Sequence, residues 1–325
     1  MIIVQPVSPN PYINLALEEY LLHNLDDDLV MLWQSEPAVV IGKHQNAMAE
    51  VNYRYVTKNK IAVVRRLSGG GTVFHGPGNL NFTFIMRGIQ GKLIDFKKYT
   101  QPVIDFLNKI GVPASFEGKN DLRVNGLKIS GNAEHIYKNR VLHHGTLLYD
   151  ADLDVLGEAI RVVPGKYVHK GVQSFRSQVA NIVSFLHEPF SYDVFCAGLR
   201  TYLMEYFDIS QSWEPTAQVM KKVEQLAKDK YLTWNWNFGY SPDYTFNGRA
   251  LVSGQMTILI FGVSKGHIAS VEFDPELLPS EWQNLEDHLN GIRHCHEDIL
   301  DVLKLSGIVN SRYRKIPSGL MPLFF

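Results

Sequence analysis

Cysteine is almost missing from this chain. Two residues in 325, Cys196 and Cys295, cannot build a disulfide framework, and a reducing cytoplasm is the expected compartment. Long apolar runs are missing too. No stretch approaches the ~18 apolar residues of a bilayer span, so no membrane association is expected. The opening Met1-Ile2-Ile3-Val4-Gln5-Pro6 has neither a basic n-region nor an arginine-rich amphipathic leader. Charge of one sign is not in excess: 32 Lys and Arg face 33 Asp and Glu. This removes bulk attraction to nucleic acid or an anionic surface. There is no G-x-x-x-x-G-K-[ST] loop, no H-E-x-x-H and no G-x-S-x-G. Phe74 stands where a dinucleotide fingerprint would carry its third glycine. His294-Cys295-His296 lacks a second ligand pair, which argues against zinc.

What is present is concentrated in one segment, Arg65-Arg66-Leu67-Ser68-Gly69-Gly70-Gly71-Thr72-Val73-Phe74-His75. Apolar stretches Ile61–Val64 and Phe82–Ile85 flank it. Three consecutive glycines weaken any strand they interrupt, but they let backbone N–H groups approach a ligand closely. The arginines add fixed charge and forked donors suited to phosphate or carboxylate. Two readings follow: a backbone cradle for an anionic small molecule, or a glycine-rich turn with two solvated arginines. Charge elsewhere is uneven. Residues 53–66 hold Arg54, Lys58, Lys60, Arg65 and Arg66 without an acid, as 161–181 hold Arg161, Lys166, Lys170 and Arg176. Two such segments fit an anionic ligand or an acidic partner better than a solvated face.

The hydrophobic pattern predicts a helix opened by Asn10-Pro11, with Ile13, Leu17, Tyr20 and Leu21 on one face. Strands are predicted at 30–33, 38–41, 61–64 and 80–86. A helix from Phe96 to Ile110 stops at Gly111, and paired strands surround Lys138-Asn139. Helices are expected near 152–162, 191–207 and 215–231. Composition shifts near residue 240. Beyond it, Asn247-Gly248 signals a hairpin turn, strands 256–263 and 268–273 surround Ser264-Lys265-Gly266, and short helices are expected near 280–290 and 296–306. The mixed order argues against a doubly wound parallel sheet. It divides into a main domain, 1–240, and a small appendage, 241–325.

A second constellation is Gly118-Lys119-Asn120-Asp121-Leu122 with Gly126-Leu127-Lys128-Ile129-Ser130-Gly131-Asn132-Ala133. Alternation sends Leu127 and Ile129 to one face and Lys128 to the other. There Lys128 is either an ordinary solvated lysine or a cation lining a cleft and seeking phosphate or carboxylate. Asp121 is either a turn cap or a holder of the magnesium that accompanies a nucleotide. His143-His144 either contact ligand or are satisfied within the fold. Cys196 falls in an apolar helical pattern and reads as core.

Taken in order, these pieces resemble the lipoate–protein ligase family. The resemblance is carried by Arg65–His75, Gly78-Asn79 with Phe82-Thr83, Asn120-Asp121-Leu122 and Lys128–Ala133. It continues through His143–Leu148, Lys170–Ser177, Val179–Ile182 and Trp234–Gly239. It implies an α+β fold: a mixed-sheet catalytic domain of the biotin/lipoate ligase kind, related to class II aminoacyl-tRNA synthetases, with a small α+β C-terminal accessory domain. It implies ATP, Mg2+ and lipoate, joined to lipoyl-adenylate. The acyl group then passes to a lysine of lipoyl-accepting domains, in 2-oxoacid dehydrogenase E2 subunits or the glycine-cleavage H protein. By resemblance Arg66 binds nucleotide phosphate, and Ser68, Gly69, Gly70, Gly71, Thr72, Val73 and Phe74 surround ATP and substrate together with His144. Lys128 contacts both acyl carbonyl and phosphate as an electrostatic catalyst, and Trp33 walls the acyl slot or sits in the core. Two positions depart from the family pattern: Gly76 stands where aspartate is common, and Phe175 where valine is common. An ATP-independent acyltransferase of the same fold, working through an exposed low-pKa cysteine, and a non-catalytic ligand sensor are the competing readings.

Overall fold

The computed structural model describes residues 1–88, 94–252, 255–273, 285–306 and 320–325. Strands, in chain order, are β1 (Ile2–Val4), β2 (Leu29–Trp33), β3 (Ala38–Ile41), β4 (Ala62–Arg65), β5 (Val73–His75) and β6 (Asn79–Arg87). They continue with β7 (Ser115–Glu117), β8 (Asp121–Val124), β9 (Leu127–Tyr137), β10 (Arg140–Leu148), β11 (Tyr167–His169) and β12 (Gln211–Trp213). β13 (Tyr244–Val252), β14 (Gln255–Ser264) and β15 (His267–Phe273) follow. The chain divides into two units. The first holds Met1–Lys43, Lys60–Ile160 and Ser174–Thr233; the second holds His44–Asn59, Arg161–Gln173 and Trp234–Phe325. Among the described residues no helix is long and apolar enough to cross a membrane.

The first unit is built on an eight-stranded sheet of order β12-β1-β2-β6-β10-β9-β8-β7 and a three-stranded sheet of order β4-β3-β5. β12, β1 and β2 run parallel and the strands after them antiparallel, so the sheet is mixed and the class α+β. Side chains alternate across a strand. Leu80, Phe82 and Phe84 of β6 therefore share one face with Val30 and Leu32 of β2 and Val141 and Leu147 of β10. Helices Phe96–Lys109 and Tyr192–Tyr206 cover that face with Tyr99, Val103, Phe106, Phe195, Leu199 and Leu203. Burying each such side chain stabilises the fold by about 1.5–3 kcal/mol. Cys196 is half-buried against this core.

The other face of the same strands is different. Register brings Trp33 opposite Asn81, and His144 and Thr146 opposite Thr83 and Asn81. These polar groups are buried, which costs free energy unless each finds a partner. Helix α1 (Pro11–Asn24) lies over them, started by Asn10, whose Oδ1 accepts from the amides of Tyr12 and Ile13. Its apolar spacing predicts one buried face, yet Asn14, Glu18 and Glu19 are buried as well as Leu17 and Leu21. The two carboxylates are drawn in by partners: Glu18 by the sheet, Glu19 by Lys230 and Tyr231.

The second unit holds the antiparallel sheet β11-β13-β14-β15. The turn falls at Lys265-Gly266, both with positive φ, as the sequence indicates. Asn247-Gly248 makes no hairpin, because β13 runs straight through it. A Cβ at Gly248 would strike the Leu323 carbonyl, so glycine is needed there for close backbone approach. The two short helices are Leu285–Leu289 and His296–Leu305; residues 280–284 lie outside the described residues. His294 is satisfied internally: Tyr244 Oη lies 2.7 Å from Nδ1 and the Phe324 carbonyl 2.8 Å from Nε2. No group of three or more metal-ligating side chains occurs among the described residues.

Candidate active site

The glycine segment joins β4 to β5, the two outer strands of the small sheet, and so passes the end of β3. It is anchored there by Arg66 N–H to the Ile41 carbonyl (3.1 Å) and Lys43 N–H to the Ser68 carbonyl (2.9 Å). Neither arginine is solvated. Arg65 donates to the carbonyls of Gly42 and Lys43, both at 3.0 Å. Arg66 turns back on its own loop. Its Nε donates to Ser68 Oγ (2.9 Å), Nη1 to the Val40 carbonyl (3.1 Å), and Nη2 to the carbonyls of Gly69 and Gly71 (both 2.7 Å). Burial lowers Arg66 to about 10 against the opposing pull of Glu18, so it stays cationic at neutral pH. Gly70 has φ +86°, and a Cβ there would lie 3.2 Å from Arg66 Nη2. In a trans peptide C=O and N–H point opposite ways. Holding the Gly69 and Gly71 carbonyls inward therefore turns the N–H of Gly70 and Thr72 away from Arg66. The Thr72 N–H meets Ser174 Oγ at 2.8 Å.

From Ser68 a buried chain of hydrogen bonds crosses to the large sheet. Ser68 Oγ is 2.6 Å from His144 Nε2. His144 Nδ1 is 3.1 and 3.0 Å from the two Glu18 oxygens. Thr83 Oγ1 donates to Glu18 Oε1 at 2.6 Å, and Trp33 Nε1 donates to Thr83 Oγ1 at 3.0 Å. Thus Arg66, Ser68, His144 and Trp33, separate in the sequence, belong to one network. Glu18 and Thr83 complete it; Thr83 belongs to a motif that carries the family resemblance but has no role assigned there, and Glu18 belongs to none. The available signal was an acidic pair, Glu18-Glu19, inside the apolar run Leu15–Leu22.

Lys128 reaches the site through a defect in the sheet. The β8–β9 register shifts between Leu122 and Arg123, so Arg123 pairs with Lys128 and Ile129 is skipped. Such a bulge reverses the alternation beyond it. Ile129 packs into the core, while Gly131 and Ala133 join Lys128 on the site face. A Cβ on Gly131 would meet Lys128 Nζ at 3.1 Å and Val73 Cγ1 at 3.6 Å; one on Gly70 would be 3.9 Å from Ala133 Cβ. The ammonium therefore lies beside the outgoing end of the glycine segment. It pairs with Asp121 Oδ1 at 2.8 Å, while Oδ2 of the same carboxylate takes Arg123 Nη2 at 2.8 Å. Asp121 is partly exposed and forms no capping bond of its own turn. A single accessible carboxylate suits Mg2+ that arrives on nucleotide phosphates.

Trp33 is buried, edge-on to His75 with ring centroids 5.3 Å apart. His75 Nδ1, Asn79 Oδ1 and Asn81 Nδ2 are buried without a hydrogen-bond partner. Burial, with His144 and Arg66 adding to it, lowers His75 to about 3, so the ring is neutral. Unpaired buried polar atoms beside an apolar indole suit a ligand that is largely apolar and carries a few polar atoms. His75, Asn79 and Asn81 lie within or next to motifs that carry the family resemblance, which assigns them no role. Phe74 is buried within β5, and Phe175 stands almost fully exposed beyond Ser174.

The family model of the lipoyl protein ligase A/B catalytic domain matches residues 10–204. A lipoate–protein ligase of Bacillus subtilis strain 168 is 37% identical over 300 residues, covering 91% of each chain. Among solved structures, the bipartite lipoate protein ligase of Thermoplasma acidophilum, described with its E2 lipoyl domain, is 26% identical with a TM-score of 0.64. That match covers 74% of this chain and 96% of the other. A lipoate–protein ligase A solved with bound ATP is 26% identical with a TM-score of 0.63, over 74% of this chain and 98% of the other. The chain belongs to the lipoyl protein ligase A/B family.

Proposed function

We propose that this chain is an ATP-dependent lipoate–protein ligase working in two steps. Lipoate's carboxylate attacks the α-phosphorus of ATP, pyrophosphate leaves, and lipoyl-adenylate remains. The ε-amine of an acceptor lysine then attacks the acyl carbonyl and expels AMP. A carboxylate is a poor electrophile until made a mixed anhydride, and joining two anions calls for fixed cations and N–H donors at the reacting centre.

The observation that carries this reading is that Lys128 and Val73, at the outgoing end of the glycine segment, both flank Gly131. Lys128 exchanges Asp121 for the α-phosphate and acyl carbonyl, and stabilises charge without a covalent step. Ser68, Gly69, Gly70, Gly71, Thr72, Val73 and Phe74 line the nucleotide. Arg66 shapes that segment by holding its carbonyls and adds positive potential toward phosphate. His144 steadies Ser68. Trp33 walls the acyl slot, with His75, Asn79 and Asn81 around it. Asp121 helps hold the Mg2+ that enters with ATP. The acceptor is a lipoyl-accepting domain of a 2-oxoacid dehydrogenase E2 subunit or of the glycine-cleavage H protein, and the reaction runs in the cytoplasm.

Mass spectrometry of an acceptor domain incubated with the chain, lipoate and MgATP tests this. A lipoyl mass increment dependent on ATP is expected. A blank, or an increment from acyl donors without ATP, rejects it.

A further inference from the structure

The glycine segment and Trp33 sit on different sheets of the first unit, yet the first step needs their ligands within reacting distance. We propose that Glu18 and Thr83 are positioning residues that fix the separation between nucleotide cradle and acyl slot. This rests on the ligase reading above.

Donors and acceptors along this chain fix one another. Trp33 Nε1 and Arg66 Nε can only donate, and they form the two ends of the chain. Trp33 donates to Thr83 Oγ1, whose hydroxyl donates to Glu18 Oε1. Arg66 donates to Ser68 Oγ, and Ser68 Oγ lies 2.6 Å from His144 Nε2, to which its hydroxyl donates when that nitrogen carries no proton. With the His144 proton on Nδ1, the ring donates to both Glu18 oxygens. Both arms thus end on the one group with acceptors alone, the Glu18 carboxylate. Every hydroxyl orientation is set by its neighbours, and all six side chains are buried. The link between the sheets is therefore directional and stiff.

Ser68, His144 and Glu18 are ordered like a hydroxyl–imidazole–carboxylate triad, but Ser68 is no nucleophile. Its side chain has no exposed surface, and its oxygen already accepts from Arg66. The network positions; it does not react. A specific consequence follows. In the first step two separate substrates depend on the protein for their alignment. In the second step acyl group and nucleotide are already one molecule, and their own covalent bond sets the spacing.

The test uses the full chain with Glu18→Gln, Thr83→Val and Thr83→Ser. Lipoate-dependent exchange of labelled pyrophosphate into ATP reads the first step. Transfer from synthetic lipoyl-adenylate to an acceptor domain reads the second. The expected result is a fall of up to about 100-fold in exchange kcat for Glu18→Gln and Thr83→Val, the cost of misplacing two reactants by about 1 Å. Transfer should stay near the parent rate, and Thr83→Ser should restore exchange. Equal loss of both steps, or loss of neither, overturns the proposal. Should Glu18→Gln not fold, the Thr83 pair makes the same comparison. A parent chain that is itself blank in exchange rejects the ligase reading, an outcome visible without any variant.

Discussion

Lys128 and Asp121 form a 2.8 Å ion pair between neighbouring strands β9 and β8, and the same carboxylate also holds Arg123. One acid thus offsets two cations at the place where phosphate is expected. Lys128→Ala should lower pyrophosphate exchange by about 100-fold or more, the usual loss when a group stabilising transition-state charge is removed. Thermal stability should barely change, since a pair this accessible contributes only about 0–1 kcal/mol. Near-parent exchange by Lys128→Ala would remove Lys128 from the chemistry.

Asp121→Asn separates two roles. If the carboxylate helps hold Mg2+, the metal concentration for half-maximal exchange should rise about tenfold. If it only neutralises Lys128 and Arg123, metal dependence should stay put while nucleotide affinity by calorimetry tightens. The first outcome is expected.

Gly70→Ala places a side chain at φ +86° against Arg66 Nη2. The backbone penalty is about 1–2 kcal/mol, and relieving the contact would shift the guanidinium off the loop carbonyls. A lower urea midpoint and weaker ATP binding should appear together. Weaker ATP binding at unchanged stability would mean that the loop is shaped by something other than Arg66.

Two buried histidines set a pH dependence of stability. Burial lowers His75 to about 3 and His294 to about 4, from an ordinary 6.5. Both rings stay neutral in the fold, while the unfolded chain takes up a proton on each as pH drops below 6.5. These two rings therefore contribute nothing above that value and a loss beneath it, by up to about 1.4 kcal/mol per pH unit for each ring. Glu134, which burial raises to about 7, opposes that loss by holding its proton in the fold, while His135 and His143, lowered in the same way, add to it. Urea midpoints at about pH 7.5 and 5.5 measure this; equal midpoints would contradict it.

Neither thiol is set up for acyl transfer. Burial raises Cys196, and raises Cys295 to about 12, whereas a nucleophilic cysteine needs its thiolate favoured. Cys196→Ala and Cys295→Ser should retain ATP-dependent lipoylation. Loss of activity confined to Cys196→Ala would revive the cysteine-dependent transferase.

Local features were readable in the chain itself. The helix predicted from Phe96 to Ile110 runs Phe96–Lys109, and the apolar flanks at 61–64 and 82–85 mark strands β4 and β6, whereas the short strand β5 inside the segment has no such signal. Long-range partners were not readable. Arg66 advertises a phosphate contact, yet four of its donors go to its own neighbourhood, because residue type does not reveal which way a buried guanidinium turns. Glu18 is drawn in by His144, 126 positions away, and no periodicity reports such a distance. Asn247-Gly248 has turn composition, but its glycine answers a demand for space from Leu323.

The skipped pairing at Ile129 makes the placement of Lys128 a matter of counting. In a strand without that bulge, strict alternation back from Gly131 would put Ile129 on the face of Gly131 and Lys128 on the opposite one. The charge would then be carried toward the hydrocarbon interior, with an isoleucine in its place beside Asp121. The face that Lys128 takes is thus set by where the extra residue falls, and not by residue type alone.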